Sequence, residues 1–470
     1  MSEVRSPLVR GGVLEPGGRW RNWGRSESAH PQYVATVASV DEVIETLAFA
    51  RDEGLTVKPI GAGHSFTAIG ATTGVQVDLS AIDGVLGVDG NRVTLGAGTN
   101  LYQLPALLQP HGLALANMGD IDRQTISGAT STGTHGTGSA FGGLATQIRA
   151  VTLVTAAGEV LRVNETENPE LLPAAVLGLG ALGVVVDLTI ECVPTFVLHA
   201  VERPEPLETV LAEWSERIAS HDHFEFYVWP HTETALTKTN TRLPGDAPRH
   251  PLGAFSGWFD DEFMANGLYR GIVNLGHLAP GTIPPINRLA VKLSGNREFT
   301  DFSPNVFTTN RTVRFKEMEY AIPVEQVPAA VAEVRALIAD RGWNISFPIE
   351  VRASAADDLM LSTASGRATG YIAVHRFFRE DEREYFGAVE SIMRAQPLDF
   401  VQLTYNILDR AAEQRLLPLA RERGIAVIAN RPFREGALIR ALERKRLPAW
   451  AAEIDCANWA QFLLKFIVSH

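Results

Sequence analysis

Cysteine is nearly absent. The chain has two in 470 residues, Cys192 and Cys456, too few for a disulfide framework or a four-ligand zinc site. Both are expected to be small buried residues in a reducing compartment. Positive charge is also short: 42 Lys and Arg stand against 54 Asp and Glu, for a formal net charge of −12. No basic cluster is interleaved with aromatics, which makes nucleic acid and anionic membrane poor partners. A phosphate-bearing ligand would then be held mainly by backbone amides and hydroxyls. Long apolar runs are missing too. The most apolar stretch, 174–190, is 17 residues long and contains three glycines and Asp187. It reads as a turn between a short helix and a buried strand, not as a membrane span. Met1-Ser-Glu-Val-Arg-Ser lacks the charged-then-apolar layout of a signal peptide, so a soluble, cytoplasmic protein is expected.

What the chain does have is glycine, placed unevenly. Pro59-Ile-Gly-Ala-Gly-His-Ser-Phe66 puts two glycines around Ala62 and a histidine directly after them. The stretch 117–143 answers it with seven glycines in 27 residues, too many for a helix or a regular strand to be expected there. Bare backbone can turn through positive φ and bring N–H groups close to a ligand. Clustered N–H groups of that kind suit phosphate oxygens. A titratable imidazole on the same loop adds a nucleophile or a base. A glycine loop alone is a weak signal, equally suited to a nucleotide, a sugar phosphate or a plain turn.

At 45% apolar residues, a chain of this length buries a large core and splits into two or more domains. The apolar spacing predicts a helix over 40–54 with Ser39 as its cap, then a strand over 56–60 running into the first glycine loop. Strands follow at 75–79, 85–88 and 92–95, a helix at 101–111, a hairpin over 148–155 and 159–163, and a strand at 184–193. After Pro194 aromatics and histidines become denser, as in His221-Asp-His-Phe-Glu-Phe-Tyr-Val-Trp-Pro-His231. Long connections over 243–285, strands at 312–321, 345–351 and 371–378 and a helix at 328–341 predict a second domain on an antiparallel sheet.

Gly61-Ala-Gly-His-Ser65, Asn117-Met-Gly-Asp120, Gln124-Thr-Ile-Ser-Gly128 and Ser131-Thr-Gly-Thr-His-Gly-Thr-Gly138 occur in that order. In combination they strongly resemble the FAD-linked sugar oxidases of the vanillyl-alcohol oxidase superfamily, of the aldonolactone oxidase or alditol oxidase type, over residues 21–395. The resemblance implies an α+β fold: a two-subdomain FAD-binding domain over 1–194 and an antiparallel-sheet cap domain for substrate over 195–395. It implies FAD bonded covalently to His64 at the flavin 8-methyl carbon, which raises the reduction potential. Cofactor contacts are implied at Pro59, Ile60, Gly61, Ala62, Gly63, His64 and Ser65, at Asp120 and Thr125, at Gly128, Ala129, Thr130, Ser131 and Thr132, and at the backbone of Val184. Gly119 falls where the family places a small gatekeeper beside the flavin, which favours access of dioxygen. In Phe347-Pro-Ile-Glu-Val-Arg352, Glu350 and Arg352 share one face of a strand. By themselves they could be a solvated ion pair. The resemblance implies instead that they act on the substrate, Arg352 steadying negative charge. His375 is expected to be a cap-core histidine. The implied reaction is oxidation of a CH–OH group of a sugar lactone, such as gulono- or arabinono-1,4-lactone, by hydride transfer to flavin, with dioxygen as acceptor and hydrogen peroxide as product. A polyol is the alternative substrate.

Past Ala395 the pattern changes. The family's Arg-Pro-His-Trp-Gly-Lys motif, whose lysine reaches flavin and substrate, has no counterpart, which leaves a flavin-binding chain impaired in turnover as another alternative. Residues 396–470 form a non-family α/β segment that resembles late strand–helix units of an aldo/keto reductase, with Gln402 at the family's amide contact to nicotinamide. The spacing predicts strands at 400–405 and 425–429 and helices at 411–423 and 456–468. A few such units cannot close an eight-stranded barrel, and the reductase's catalytic residues have no counterpart. No reductase activity is implied.

Overall fold

The computed structural model describes residues 13–253, 269–293, 295–309, 313–395, and 400–468 apart from 415, 423–425, 431, 435, 443–444 and 455. The chain divides into two compact units, Met1–Gln396 and Pro397–His470.

In the first unit the helix Val40–Asp52 starts at Ser39, whose hydroxyl accepts the Glu42 N–H at 3.2 Å, while the Glu42 carboxylate accepts the Ala38 N–H at 2.7 Å. A cap of this kind is worth about 1 kcal/mol. The helix buries Val43, Leu47 and Ala50 in a core shared with Val75 and Val77. Those valines belong to a four-stranded sheet ordered Val13–Pro16, Tyr33–Thr36, Val75–Asp78, Val57–Ile60, in which the last three run parallel. Ligands of open parallel sheets sit beyond the carboxyl ends of the strands, and the Pro59–Phe66 loop leaves Val57–Ile60 at that end. A second, antiparallel sheet of five strands runs Val160–Asn164, Ile148–Val154, Val184–Glu191, Arg92–Gly96, Val85–Asp89.

The third sheet is antiparallel and has seven strands: Arg297–Phe302, Phe196–Pro206, Thr234–Pro244, His223–Val228, Ile349–Ser354, Thr369–Phe377, Phe315–Pro323. Its residues alternate between two unlike faces, as pleating requires. Phe224, Phe226, Ile349, Val351, Ile372 and Val374 pack into a core with the helices Leu207–Ala212, Trp214–Ser220, Val327–Asp340 and Arg383–Ala395. Each large side chain so buried is worth roughly 1.5–3 kcal/mol. The opposite face carries the polar partners in between.

Five expectations shift. The 101–111 helix is broken into a 3-10 turn Leu101–Gln103, an α-helix Leu104–Leu108 and a second 3-10 turn Gln109–His111, because Pro105 and Pro110 each remove a backbone donor. The glycine-rich stretch does hold a helix, Ile126–Ser131, capped by Thr125, with Gly128 as its one glycine. The connection over 243–285 contains the helix Tyr269–Leu278 and the start of Ile283–Leu293, while 254–268 lie outside the described residues. The strand expected from 345 begins only at Ile349, after Pro348; residue 312, expected to start a strand, is outside the described residues, and that strand is Phe315–Pro323. Cys192 and Cys456 are both free and buried, as composition predicts.

In the second unit, Phe400–Thr404 pairs in parallel with Ala426–Asn430, and the helix Leu416–Glu422 lies between them in sequence. Parallel neighbours need such a crossover. Tyr405 is buried and stacks on Phe466 of the helix Trp459–Val468, with ring centroids 5.9 Å apart.

A cation ties the seven-stranded sheet to the glycine-rich segment. The Arg242 guanidinium lies 4.2 Å from the ring centres of both Phe141 and Phe196, and donates to the Ala116 carbonyl. Arg242→Met keeps much of the packing but leaves that carbonyl without its donor. We expect a loss of about 2 kcal/mol, read as a lower denaturation midpoint with an unchanged slope in urea.

Candidate active site

Two loops close on one hydroxyl. A Cβ added at Gly61 would lie 2.3 Å from Thr125 Oγ1, and one added at Gly128 would lie 2.8 Å from the same atom. Any side chain at either position would collide there or occupy the space in front of it. Gly63 sits at φ +70°, a left-handed conformation that glycine adopts without strain. The loop is pinned from outside: Trp23 N–H donates to the Gly63 carbonyl at 2.7 Å and the Asn22 side-chain amide to the Ser65 carbonyl at 3.0 Å. The resulting cleft encloses about 860 Å³ of unfilled space, part of it open to solvent.

Pro59 to Ser65, Thr125, Gly128, Ser131 and Thr132 all line this cleft. Gly119, Ala129, Thr130 and Val184 do not. Ala129 and Thr130 lie on the inward face of their short helix, and Thr130 Oγ1 donates to the Ile126 carbonyl at 3.0 Å. Along Val184–Glu191 the alternation turns the Val184 side chain into the core, between the cleft-lining Gly183 and Val185, and leaves its backbone as the part expected at the cofactor. Lys58 lines the cleft without having been expected. Its ammonium donates to the Leu179 carbonyl at 3.3 Å, and burial lowers its pKa. The signal was present: one lysine in an otherwise apolar strand leading into a glycine loop.

His64 stacks on Trp23, with ring centres 5.2 Å apart and planes inclined by 20°. Burial first, and the charge of Arg123 second, lower its pKa to about 4. At neutral pH the imidazole is therefore uncharged and keeps a nitrogen lone pair.

The glycine-rich segment continues from the cleft to the polar face of the seven-stranded sheet. Gly138 N–H donates to the Ala353 carbonyl at 2.8 Å, and Thr137 Oγ1 donates to the Phe224 carbonyl at 2.6 Å. On that face Arg352 is buried among carboxylates. Its Nε donates to Glu225 at 2.9 Å, one terminal nitrogen contacts Glu350, and the same nitrogen lies 3.4 Å from Asp120. Thus Asp120, expected at the cofactor, reaches the cap's arginine and does not line the cleft. Tyr227 donates to Glu350 at 3.2 Å, and the Lys238 ammonium lies 3.7 Å from Glu225. Burial opposes charge on both partners, yet Arg352 and Lys238 hold Glu225 below its ordinary range, and the carboxylates raise Arg352 well above its own.

Two histidines complete the face. His135 Nδ1 meets the Gly136 carbonyl at 2.8 Å and its Nε2 meets Glu319 at 3.0 Å. His375 Nδ1 meets the Pro348 carbonyl at 2.9 Å, and its Nε2 lies 3.2 Å from Glu317 and 3.9 Å from Glu350. His375 is buried as expected, but beside Glu350 on the polar face and not within the apolar core. Burial works against both imidazolium ions; the facing glutamates outweigh it and raise both pKa values. Glu225, Tyr227, Glu317 and Glu319 went unread in the sequence. Their signal was strict alternation with apolar neighbours, as in Phe224-Glu-Phe-Tyr-Val228.

The family described as D-arabinono-1,4-lactone oxidase matches residues 188–396, and an FAD binding domain family matches 31–164. L-gulono-1,4-lactone dehydrogenase of Mycobacterium tuberculosis is 40% identical over 376 residues, covering 80% of this chain and 86% of its own. L-gulonolactone oxidase of Bos taurus is 33% identical, covering 80% and 87%. The chain belongs to the aldonolactone oxidase and dehydrogenase family. Its fold is shared more widely: cholesterol oxidase from Brevibacterium sterolicum superposes with a TM-score of 0.67 at 17% identity, covering 84% of this chain and 87% of that one. As a member of the family this chain is an FAD-dependent oxidoreductase acting on CH–OH donors, and the cleft fits its cofactor. Its backbone is bare where Gly61 and Gly128 meet Thr125 Oγ1, as close approach to a pyrophosphate requires. Neither matched family region extends past 396, so the aldo/keto reductase likeness of the second unit gains no support from them.

Gly61→Ala puts a methyl group against Thr125 Oγ1 inside the cofactor groove. We expect at least about tenfold weaker FAD retention, and a smaller loss for Lys58→Met. Titration of deflavinated protein with FAD, followed by flavin fluorescence, measures both; circular dichroism shows that the variants are folded.

Proposed function

We propose that this protein oxidises a carbinol of an aldono-1,4-lactone with dioxygen as the electron acceptor, releasing hydrogen peroxide, and that its FAD is bonded to His64. The observation that carries the reading is the Arg352 cluster. A buried guanidinium, gripped by Glu225, Glu350 and Asp120, shares one sheet face with Tyr227, and the segment bearing Asp120 also lines the cofactor cleft through Thr125 and Gly128. FAD held in the cleft would supply the acceptor for the hydride of the carbinol carbon. The chain's own residues handle the proton and the charge. Glu350, held against Arg352, accepts the hydroxyl proton. Arg352 faces the oxygen on which negative charge develops, and because it is fixed beforehand it need not reorganise during the reaction. Tyr227 holds Glu350 in place.

A neutral His64 supports the covalent bond, since the attacking nitrogen needs its lone pair. Position 119 bears on the acceptor, because the relatives divide into a dehydrogenase and an oxidase by name. Glycine there leaves no side chain to obstruct dioxygen. A Cβ would also meet the His135 carbonyl at 3.1 Å, so packing favours glycine as well, and only the reaction with oxygen decides.

Purified protein is expected to oxidise L-gulono-1,4-lactone, bleaching its yellow colour without air and regaining it, with one peroxide per turnover, when air is admitted. Bleaching without recovery in air would make it a dehydrogenase. No bleaching would leave a flavin binder without turnover. Glu350→Gln and Arg352→Met are each expected to lower kcat by about 100-fold or more at unchanged flavin content.

The flavin colour is expected to stay with acid-precipitated wild-type protein and to leave His64→Ala. With a pKa of about 4, His64 remains neutral at every higher pH. Its attachment to added FAD should therefore keep its rate from about pH 8 down to about pH 5.

A further inference from the structure

Cross-strand neighbours on the polar face of the large sheet stand in rows perpendicular to the strands. One such row crosses four strands as Lys238, Glu225, Arg352 and Tyr371. Glu225 is paired with Lys238, Arg352 with Tyr371, and the pairing of Phe226 with Val351 sets Glu225 beside Arg352. Charge alternates along the first three, positive, negative, positive. Each cation meets a different oxygen of Glu225: Oε2 accepts from Arg352 Nε at 2.9 Å, and Oε1 lies 3.7 Å from the Lys238 ammonium. Lys238 is fixed in its turn, donating to the Val306 carbonyl at 3.2 Å. Its side chain is 12% exposed and that of Glu225 6%, so solvent screens the pair little.

We propose that Lys238 is a positioning residue for the oxidation, acting on Arg352 through Glu225. This rests on the reading of the Glu350–Arg352 face as the substrate site. A charged Glu225 holds Arg352 by Nε, while a terminal nitrogen of the same guanidinium serves Glu350 and Asp120. Arg352 is thereby divided among three carboxylates, and Lys238 supplies Glu225 with a second positive charge. Burial works against an ionised Glu225; Arg352 and then Lys238 outweigh it and keep its pKa below the ordinary range, against the opposing charge of Asp120. Other described groups facing Glu225 do not replace Lys238. Tyr227, at 3.4 Å, offers a hydroxyl and not a charge. His223 is uncharged near neutral pH, because burial lowers its pKa to about 4. Arg242, further along the same face, is turned to the Ala116 carbonyl and to the Phe141 and Phe196 rings. Without Lys238, Glu225 takes up a proton at a higher pH, and Arg352 Nε loses its charged acceptor where the reaction needs the guanidinium fixed.

The test is the pH profile of kcat for L-gulono-1,4-lactone oxidation by the holoenzyme, from about pH 5 to about pH 9. In Lys238→Met the acid limb should move up by about one pH unit, while kcat at the alkaline end and KM stay within about threefold of wild type at unchanged flavin content. Lys238→Arg, which keeps the charge, should keep the wild-type limb. Once Glu225→Gln has removed the group through which Lys238 acts, adding Lys238→Met should leave the limb where Glu225→Gln alone puts it. A uniform fall at every pH, as a purely structural role would give, overturns the inference. So does an unmoved limb in Lys238→Met, a limb displaced equally in Lys238→Arg, or a further shift in the double variant. If Lys238→Met does not fold, the double variant, which leaves neither partner of the pair charged, decides by comparison with Glu225→Gln. A wild-type protein that does not oxidise the lactone fails the underlying reading instead, and the inference falls with it.

Discussion

A guanidinium buried among three carboxylates is the constraint around which the first unit is arranged. Removing Arg352 from water costs several kcal/mol unless its charge is met, and the three acids that meet it come from three places in sequence. Asp120 lies on the glycine-rich segment, Glu225 on one strand of the large sheet, and Glu350 two residues away on Arg352's own strand. Bringing these together docks the cofactor loops against the sheet. The stability of a buried ion cluster is weak evidence for its presence, since apolar residues of the same volume usually serve a core as well or better. A cluster of this size at the junction of cofactor cleft and cap fits the role proposed for it, presenting charge to a reacting alcohol.

The segment from Asn117 to Gly143 makes that junction. It uses glycine where other chain would collide: a Cβ at Gly136 would lie 2.2 Å from the Met118 carbonyl, and one at Gly138, where φ is +131°, 2.5 Å from the Asp222 carbonyl. The segment is therefore laced to itself and to the sheet by backbone. His135 then reaches across to Glu319 and stacks on Tyr371, with ring centres 3.6 Å apart. A glycine-dense stretch is costly to order, and the hydrogen bonds of Thr137, Gly138 and His135 to the sheet offset that cost. The same lacing explains why one stretch of sequence can shape both the cofactor groove and the polar face of the sheet.

Much of this was legible in the residues. The helix from Val40, the loop from Pro59 and the Glu350–Arg352 pair follow from capping, glycine placement and strand parity, all of which are local. What stayed hidden was what depends on partners far off in sequence. Asp120 closes the Asn117-Met-Gly-Asp120 motif and was read with the cofactor contacts; only the sheet's approach turns it to Arg352. Val184 and Val185 are identical side chains, so nothing in their chemistry says which faces the cleft. Lys58 was overlooked because net negative composition argued for backbone and hydroxyl contacts alone, and composition does not say where a single cation lies. Glu317 and Glu319 resembled the charges of an exposed strand, since burial by another part of the chain leaves no local trace.

The strict alternation of the large sheet also fixes its register. Along Ile349–Ser354 the odd residues Ile349, Val351 and Ala353 belong to the helix-covered core, and the even residues Glu350 and Arg352 to the polar face. The neighbouring strands alternate in phase, Tyr227 opposite Glu350 and Tyr371 opposite Arg352. A slip of one residue would drive a carboxylate and a guanidinium into the helical core and set valine and isoleucine among charges. Burial of the charges would be penalised without their partners, and the apolar surface lost would add to the deficit. The polar face and the apolar core are thus two sides of one pattern: the residues that give the sheet its charge also forbid the pairings that would destroy it. In a sheet of long antiparallel strands, where register errors compete with folding, a polar face of this kind contributes specificity of fold even where its net contribution to stability is small.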